Sequence, residues 1–218
     1  MLFLLTGDVQ IGKTRWLENL CASLQAAGTC VAGVVAPGQW APRPEGQPGG
    51  KHGFDGTGRF EKLGIDNVLL PQGTRIEFAR RRDLAAKSKA FTEGTQAKAA
   101  KLGWAISDTA IAQVNAHFAA LAKQAANETR LAPHAVLVVD ELGRLELLRG
   151  CGLTNALAIL DAGPTPQFPH AIAVVRETLL NEARRRFEPR WGKATVIGPD
   201  DAARNLVLET ARAAGGTH

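Results

Sequence analysis

The chain alternates between short continuous apolar runs and longer segments whose apolar residues recur every three or four positions. Continuous apolar runs are typical of strands buried on both faces of a parallel sheet, whereas the longer spacing is typical of amphipathic helices. The predicted strands are residues 2–5, 30–36, 135–139, 171–175 and 194–197, and the predicted helices are 13–27, 107–125, 152–162, 177–187 and 200–213. This alternation predicts an α/β fold with a mostly parallel sheet, right-handed crossovers and an active site at the carboxyl ends of the strands.

Glycine and proline dominate residues 37–58, where no hydrophobic period survives. Such a composition predicts a flexible loop. Two strand-like pieces follow at 67–70 and 75–79, and the segment between them is typical of a tight turn, which predicts a β-hairpin. We therefore interpret the chain as one domain spanning residues 1–218, with residues 37–82 forming a loop and hairpin insertion.

The first predicted strand is followed by G-D-V-Q-I-G-K-T, the spacing of a phosphate-binding P-loop or Walker A motif. Gly7 and Gly12 let the backbone curl until its N–H groups point at phosphate oxygens. Lys13 adds a charge for the β- and γ-phosphates, Thr14 adds a hydroxyl for Mg²⁺, and the helix directs its positive dipole end at the same anion. An ordinary glycine turn is the alternative, but the buried strand before the motif and the amphipathic segment after it favour the P-loop. The predicted nucleotide-binding residues are Gly7, Asp8, Val9, Gln10, Ile11, Gly12, Lys13, Thr14 and Arg15.

A second motif follows the apolar run at 135–139, where the sequence continues with Asp140 and Glu141. A carboxylate after a buried strand can lie beside Thr14 and hold Mg²⁺, which is the Walker B role and predicts Thr14 and Asp140 as metal ligands. Glu141 lies one residue further on, where it could orient or deprotonate a water in line with the γ-phosphate. A solvated turn is the alternative for these acids, and the upstream P-loop argues against it. The predicted cofactor is Mg²⁺.

Phosphoryl transfer spreads charge over the γ-phosphate oxygens, and an arginine that stabilises this charge is worth about 10³–10⁵ in rate. Arg176, at the end of the 171–175 strand, is predicted to be catalytic together with Glu141 and Lys13. Three successive residues of one helix cannot all face the same ligand, and a surface role is the alternative for every candidate. The other candidates are Arg144, Arg184, Arg185 and Arg186.

Three segments resemble the P-loop nucleoside-triphosphatases first described from thermophiles: residues 4–14, residues 52–55 (H-G-F-D) and residues 139–147 (V-D-E-L-G-R-L-E-L). That family pairs a terminal P-loop with a G-F-D segment and a D-E-[IL]-G-x-[ML]-E motif, and the resemblance covers the chain in order and size. It implies a three-layer sandwich with a RecA-like sheet and slow, Mg²⁺-dependent hydrolysis of several nucleoside triphosphates to diphosphates. The residues implied by position are Lys13 and Thr14 for phosphate and metal, Asp140 as the Walker B acid and Glu141 as the acid that activates water.

The chain departs from the family's pattern in two places. The glycine- and proline-rich stretch before Gly53 is typical of an insertion, and Arg144 stands where the family often carries lysine or proline. Gly143 and Glu146 match the family's motif, with a tight turn and a helix-entry carboxylate as their simplest roles and a supporting role at the site as a hypothesis for Glu146. The residues that recognise the base are the ones for which the resemblance is the weakest guide. The candidates for base recognition are residues 198–200 and the rings of Trp40 and Trp191.

The net charge of +5 and the pI of about 9.4 indicate a polyanionic partner, a requirement that a nucleoside triphosphate fulfils as well as RNA or DNA. Charge runs such as 80–82 and 184–186 are usually solvated, so a nucleic acid is not favoured. The 218 residues, 45% of them hydrophobic, suffice for one core, and residues 1–5 are too short for a signal or a membrane span. The three cysteines lack the spacing of a disulfide framework or a zinc site. We expect a soluble cytoplasmic protein without membrane contact, with a monomer favoured.

Three functions agree with these motifs. The first is a nucleoside-triphosphatase with water as the acceptor, because Glu141 directly follows the Walker B acid. The second is a nucleotide or small-molecule kinase, which would need an acceptor pocket that residues 37–79 could build. The third is a nucleotide-switched binding module or an ATPase stimulated by RNA or DNA, which the basic charge suggests. We expect the first.

Overall fold

The computed structural model describes residues 1–43, 59–87, 91–99, 103–126 and 134–215. The strands are β1 (Leu2–Leu5), β2 (Val31–Val35), β3 (Gly38–Pro42), β4 (Phe60–Leu70), β5 (Thr74–Arg81), β6 (Trp104–Ile106), β7 (Val136–Leu142), β8 (His170–Val175) and β9 (Thr195–Ile197). They form one nine-stranded sheet in the order β6-β5-β4-β2-β7-β8-β1-β9, and β3 pairs with β4.

One half of the sheet is parallel, with β2, β7, β8, β1 and β9 side by side in that order. The apolar runs predict all five strands, and the structure confirms them with small shifts at their ends, the largest being the extension of β7 to Leu142. Strand β8 separates β1 from β7, as in the RecA-like sheet that the resemblance implies. Because parallel strands share one carboxyl edge, the segments after β1, β7 and β8 meet there.

The other half of the sheet is antiparallel. Strands β4 and β5 form the predicted hairpin, but both are longer than the sequence predicts, since β4 begins at Phe60 and β5 ends at Arg81. This length lets β4 pair with β2 through residues 68–70 and with β3 through residues 60–65.

The prediction of a loop across residues 37–58 is wrong for Gly38–Pro42, which forms β3. The long β4 supplies backbone hydrogen-bond partners to this segment, and the pairing overrides its unfavourable glycine and proline content. Residues 44–58, with the G-F-D segment and His52, lie outside the described residues.

Helices cover both faces of the sheet and make the three-layer α/β sandwich that the sequence predicts. Helices α1 and α8 pack on one face, and α4, α6 and α7 pack on the other. The side chains of β1 alternate between the faces, so that Leu2 and Leu4 contact one helical layer and Phe3 and Leu5 the other. The helices are α1 (Lys13–Ala26), α2 (Arg82–Ala85), α3 (Thr95–Ala99), α4 (Asp108–Ala126), α5 (Arg144–Arg149), α6 (Thr154–Asp161), α7 (Leu180–Trp191) and α8 (Asp201–Gly215).

The helices differ from the prediction in several places. The short helices α2 and α3 are not predicted at all. Helix α5 is too short for its hydrophobic spacing to be recognised in the sequence, and the predicted helix 177–187 divides into a 3-10 turn and α7, which continues to Trp191. Ser107 caps α4 by accepting a hydrogen bond from the Ala110 amide at 3.3 Å. None of the described helices combines the length and the apolar character that crossing a membrane requires.

We predict that Gly33→Ala strongly destabilises the fold. Gly33 lies in β2 opposite Val138 of β7, has φ of 122°, and a Cβ there would lie 2.0 Å from the Val138 carbonyl oxygen. The backbone conformation should contribute about 1–2 kcal/mol and the collision about 1–3 kcal/mol of destabilisation. Denaturant unfolding followed by circular dichroism measures the sum.

Gly28→Ala is the matched control, because Gly28 has φ of 80° and nothing within 4 Å of an added Cβ. We expect this variant to lose only the backbone contribution of about 1–2 kcal/mol. Equal losses in the two variants would show that the approach of β2 to β7 has no special importance.

Candidate functional site

The predicted P-loop connects β1 to α1 at the carboxyl edge of the parallel strands. Gly7 and Gly12 have φ of 132° and 96°, in the left-handed region that a side chain would strain. Gly12 is the N-cap of α1, and no side-chain oxygen caps the first N–H groups of this helix. These N–H groups and the positive end of the helix dipole are therefore available to an anion.

The Lys13 ammonium folds across the P-loop. Its Nζ donates hydrogen bonds to the carbonyl oxygens of Gly7 at 2.8 Å and of Asp8 at 2.7 Å. The positive charge therefore lies within the curve of the loop. The two glycines and the lysine of the motif together direct donors and positive charge to one small region, which suits a phosphate group.

The carboxylate of Asp140 is buried, with 2% of the residue exposed. Its Oδ2 accepts a hydrogen bond from the Ala36 amide at 3.0 Å, and the Thr14 side chain also hydrogen-bonds to it. Burial raises the pKa of Asp140 to about 6; the Ala36 amide opposes this rise, the Glu141 charge adds to it, and the Thr14 hydroxyl and the Lys62 charge oppose it. The structure thus brings the last residue of the P-loop motif against the first acid of the second motif.

Thr14 and Asp140 fit the ligand preferences of Mg²⁺. Both present oxygen atoms, and Mg²⁺ uses few protein oxygens because it keeps several waters and phosphate oxygens. Within the described parts of the chain, no cluster of three or more His, Cys, Asp and Glu side chains could hold a metal ion. The candidate metal site is the Thr14 hydroxyl beside the buried Asp140 carboxylate, whose charge its neighbours compensate only in part.

Glu141 and Arg176 form an ion pair at the same edge. The Arg176 Nε donates to Glu141 Oε1 at 2.7 Å, and the two side chains are 55% and 34% exposed, respectively. Glu141 lies near the end of β7 and Arg176 directly follows β8. These two strands are neighbours, and Leu142 of β7 pairs with Val175 of β8. An exposed pair of this kind contributes only about 0–1 kcal/mol, so either partner can exchange it for a contact with a ligand.

The three consecutive arginines of α7, Arg184, Arg185 and Arg186, lie in other ion pairs. Arg184 pairs with Glu188 at 2.8 Å, Arg185 with Glu182 at 2.8 Å, and Arg186 with Asp161 of α6 at 2.7 Å. These contacts are typical of a solvated helix face. Arg144 is the first residue of α5. Of the predicted arginines, Arg176 is the one that contacts Glu141.

The candidates for base recognition have different surroundings. Trp191 is wrong as a stacking surface, because only 8% of it is exposed and its Nε1 donates to the Leu160 carbonyl at 2.7 Å, within the core. Trp40 lies on β3 with 38% exposed. In the 198–200 segment, the Asp200 side chain caps α8. The main-chain carbonyl of Asp200 accepts a hydrogen bond from Nε1 of Trp16 at 3.0 Å. Trp16 lies within the predicted helix 13–27, and nothing in the local sequence marks its contact with Asp200.

Glu146 is buried and hydrogen-bonded within the fold. It is 5% exposed and accepts hydrogen bonds from the amides of Gly143 at 2.9 Å and Leu153 at 3.0 Å. Burial raises its pKa, while these two hydrogen bonds lower it. Glu146 therefore connects the turn before α5 to the start of α6, in agreement with the simple roles expected of Gly143 and Glu146.

Lys62 is a charged residue near the site that sequence reasoning missed. Its ammonium lies 5.9 Å from the ring centroid of Trp40 and 5.7 Å from that of Trp104. Burial lowers the pKa of Lys62, and the charges of Asp140 and Glu141 raise it. No motif marks this lysine, and the sequence predicts that β4 begins only after it.

We predict that Asp140→Asn increases stability above pH 6 when no metal is added. The pKa of Asp140 in the folded state, about 6, exceeds its ordinary value of 3.8, so the folded state binds more protons between these values and its stability falls as pH rises. At 1.36 kcal/mol per pKa unit, wild type should lose about 3 kcal/mol that the asparagine variant retains. Urea unfolding in EDTA from pH 4 to pH 8 measures the difference.

Asp201→Asn is the control for this experiment, because Asp201 is exposed in the first turn of α8. Its stability curve should run parallel to that of wild type. The same parallel behaviour in Asp140→Asn would contradict the raised pKa.

The fold matches two solved structures across nearly the whole chain. THEP1 from the hyperthermophile Aquifex aeolicus has a TM-score of 0.58 over 96% of this chain and 96% of its own, at 14% sequence identity. A human cancer-related nucleoside triphosphatase has a TM-score of 0.52 over 99% of this chain and 97% of its own, at 18% identity. No protein-family model and no curated protein sequence matches the chain. At these identities the comparison establishes the fold alone: the chain has the P-loop nucleoside-triphosphatase fold of both structures.

Proposed function

We propose that the protein hydrolyses nucleoside triphosphates, such as ATP and GTP, to diphosphate and phosphate with the aid of Mg²⁺. The observation that carries this proposal is the contact between Thr14 and the buried Asp140, which joins the P-loop to the acid at the end of β7. The ion pair of Glu141 and Arg176 at the same edge supports hydrolysis in particular. A structure of the same fold is named a nucleoside triphosphatase, which gives further support.

The P-loop has the groups that bind a triphosphate. Its backbone N–H groups and the start of α1 would bind phosphate oxygens, and Lys13 would exchange its carbonyl acceptors, Gly7 and Asp8, for the β- and γ-phosphates. Thr14 and Asp140 would hold Mg²⁺. The metal ion neutralises charge on the phosphates when it is bound.

Hydrolysis needs a group that orients and deprotonates water, and Glu141 is our candidate. A water oxygen forms a bond to the γ-phosphorus, the bond from that phosphorus to the bridging oxygen breaks, and a proton of the water passes to the Glu141 carboxylate. Arg176 would leave Glu141 and donate to the γ-phosphate oxygens as negative charge redistributes in the transition state. The exchange frees the carboxylate when the substrate is bound.

We predict that Glu141→Gln binds nucleotide as wild type does but lowers kcat by about 10²–10⁴-fold, because the amide cannot accept the proton of the water. Lys13→Ala should instead weaken triphosphate binding by about 10–100-fold, through loss of charged hydrogen bonds. Phosphate release from ATP, GTP, CTP and UTP with Mg²⁺, together with calorimetric binding, measures both effects.

Glu177→Gln is the matched control, since Glu177 is an exposed acid in the turn after β8. It should retain wild-type turnover. Loss of nucleotide binding in Glu141→Gln would contradict the assigned role, and transfer of the γ-phosphate to an acceptor other than water would favour a kinase.

We predict that Arg176→Ala lowers kcat by about 10³-fold or more with a smaller effect on diphosphate affinity, because the guanidinium acts on charge at the γ-phosphate. Arg176→Lys should recover part of the loss, since the charge remains but the planar pair of donors does not. Steady-state kinetics with ATP measures this, and Arg212→Ala, in the last turn of α8, is the control. Wild-type kcat in Arg176→Ala would remove this residue from the mechanism.

A further inference from the structure

Lys62 is held in place by aromatic rings from two other strands. It lies on β4 directly opposite Trp40 of β3, and its ammonium is within 6 Å of the ring centroids of both Trp40 and Trp104 of β6, at 5.9 Å and 5.7 Å. At this separation the faces of indole rings attract a cation. The two rings therefore hold the ammonium in a defined position on the antiparallel half of the sheet.

Glycine at position 38 makes room for this arrangement. A Cβ on Gly38 would lie 2.6 Å from Cε of Lys62 and 2.7 Å from Nε1 of Trp40. The methylene groups of Lys62 therefore pack directly on the backbone of β3. Any larger residue at position 38 would displace the lysine or the indole.

The same segment connects Lys62 to the candidate metal site. Gly38 comes two residues after Ala36, whose amide donates to Asp140 Oδ2 at 3.0 Å. Two residues span at most about 7 Å. The lysine is thus close to the carboxyl edge of the parallel strands, and accordingly the charges of Asp140, Glu141 and Arg176 all act on its pKa.

Lys62 differs from the neighbouring arginines in its charge partners. Arg75 pairs with Asp66, Arg80 with Glu77, and Arg81 with Glu61 and Asp83. For Lys62, no carboxylate of the described residues lies within 4.0 Å, the ion-pair distance. Its indole partners attract the charge without neutralising it, and so a half-buried cation beside the phosphate-binding edge still lacks an anion.

We propose that Lys62 binds the γ-phosphate of the nucleotide, as a second lysine that the antiparallel half of the sheet supplies in addition to Lys13. The anion that fits is the terminal phosphate, because Glu141 and Arg176, whose charges act on Lys62, are the residues that the proposed function places at the γ-phosphate. On binding, the ammonium exchanges part of its contact with Trp40 and Trp104 for phosphate oxygens. This role rests on the function proposed above and adds a residue to the same site.

The test compares Lys62→Met, which keeps a straight apolar chain, with Lys62→Arg, which keeps the charge. Calorimetry with Mg²⁺ gives the affinities for a β,γ-imido triphosphate and for the diphosphate. Lys62→Met should weaken triphosphate binding by about 10–100-fold and leave diphosphate binding within about 2-fold, because the lost contact is to the γ-phosphate alone. Lys62→Arg should retain most of the triphosphate affinity. Lys123→Met, exposed in the last turn of α4, is the control and should match wild type.

Tryptophan fluorescence gives a second measurement that does not depend on turnover. The chain has four tryptophans, and two of them contact Lys62. The triphosphate analogue should change the emission of wild type more than the diphosphate does, and this difference should disappear in Lys62→Met and decrease in Trp104→Phe. Circular dichroism checks that each variant is folded.

The outcomes separate this proposal from the function on which it rests. Equal losses for triphosphate and diphosphate in a folded Lys62→Met, or no loss for either, would overturn the role of Lys62 while wild-type hydrolysis remained. If wild type binds the triphosphate analogue but releases no phosphate from ATP, the proposed hydrolysis is wrong. A selective loss of triphosphate affinity in Lys62→Met would in that case still support the γ-phosphate contact. A wild type that binds no triphosphate overturns both.

Discussion

The burial of the Asp140 carboxylate is the constraint on which the rest of the site depends. A buried charge is unfavourable unless nearby groups compensate it, and here the Ala36 amide and the Thr14 hydroxyl do so only in part, which leaves the pKa at about 6. Those two groups belong to the segment after β2 and to the start of α1. The carboxylate therefore has its partners only when β2, β7 and the P-loop are all in register, and the packing of the sheet determines the geometry of the candidate metal site.

Two buried acids in the same motif show how the surroundings decide the use of a carboxylate. Glu146 accepts hydrogen bonds from two amides and connects two helices, so its oxygens are used within the fold. Asp140 has an amide and a hydroxyl, and the hydroxyl belongs to the P-loop. A divalent cation can reduce the free-energy cost that remains for the buried Asp140 charge. Binding of a cation and stability of the folded state are therefore linked at this residue.

The parallel strands and the P-loop could be predicted from the sequence because each depends on residues that are close together in the chain. Apolar runs indicate buried strands, and G-x-x-x-x-G-K-T contains its own turn, charge and helix start. Strand β3 could not be predicted, because it forms only through pairing with β4, and α5 is too short to show a period. The contacts of Lys62 join three strands that are distant in sequence, and those of Trp16 join α1 to Asp200, so neither leaves a local pattern.

Strand β4 connects the two halves of the sheet through its pairing with β2 and β3. Its end pairs with β2, next to Ala36, and its beginning pairs with β3 and carries Lys62. A shift of β4 along β2 by one residue would turn its alternate side chains to the opposite face of the sheet and remove Lys62 from its indole partners. The pairing of β4 with β2, next to Ala36, therefore also fixes the pairing of β4 with β3 that positions Lys62. Between the two, the Asp66 amide of β4 donates a hydrogen bond to the Pro37 carbonyl at 2.9 Å. The parallel half holds the candidate metal- and phosphate-binding residues, and the antiparallel half can supply a further charge beside them because one long strand, β4, pairs with both β2 and β3.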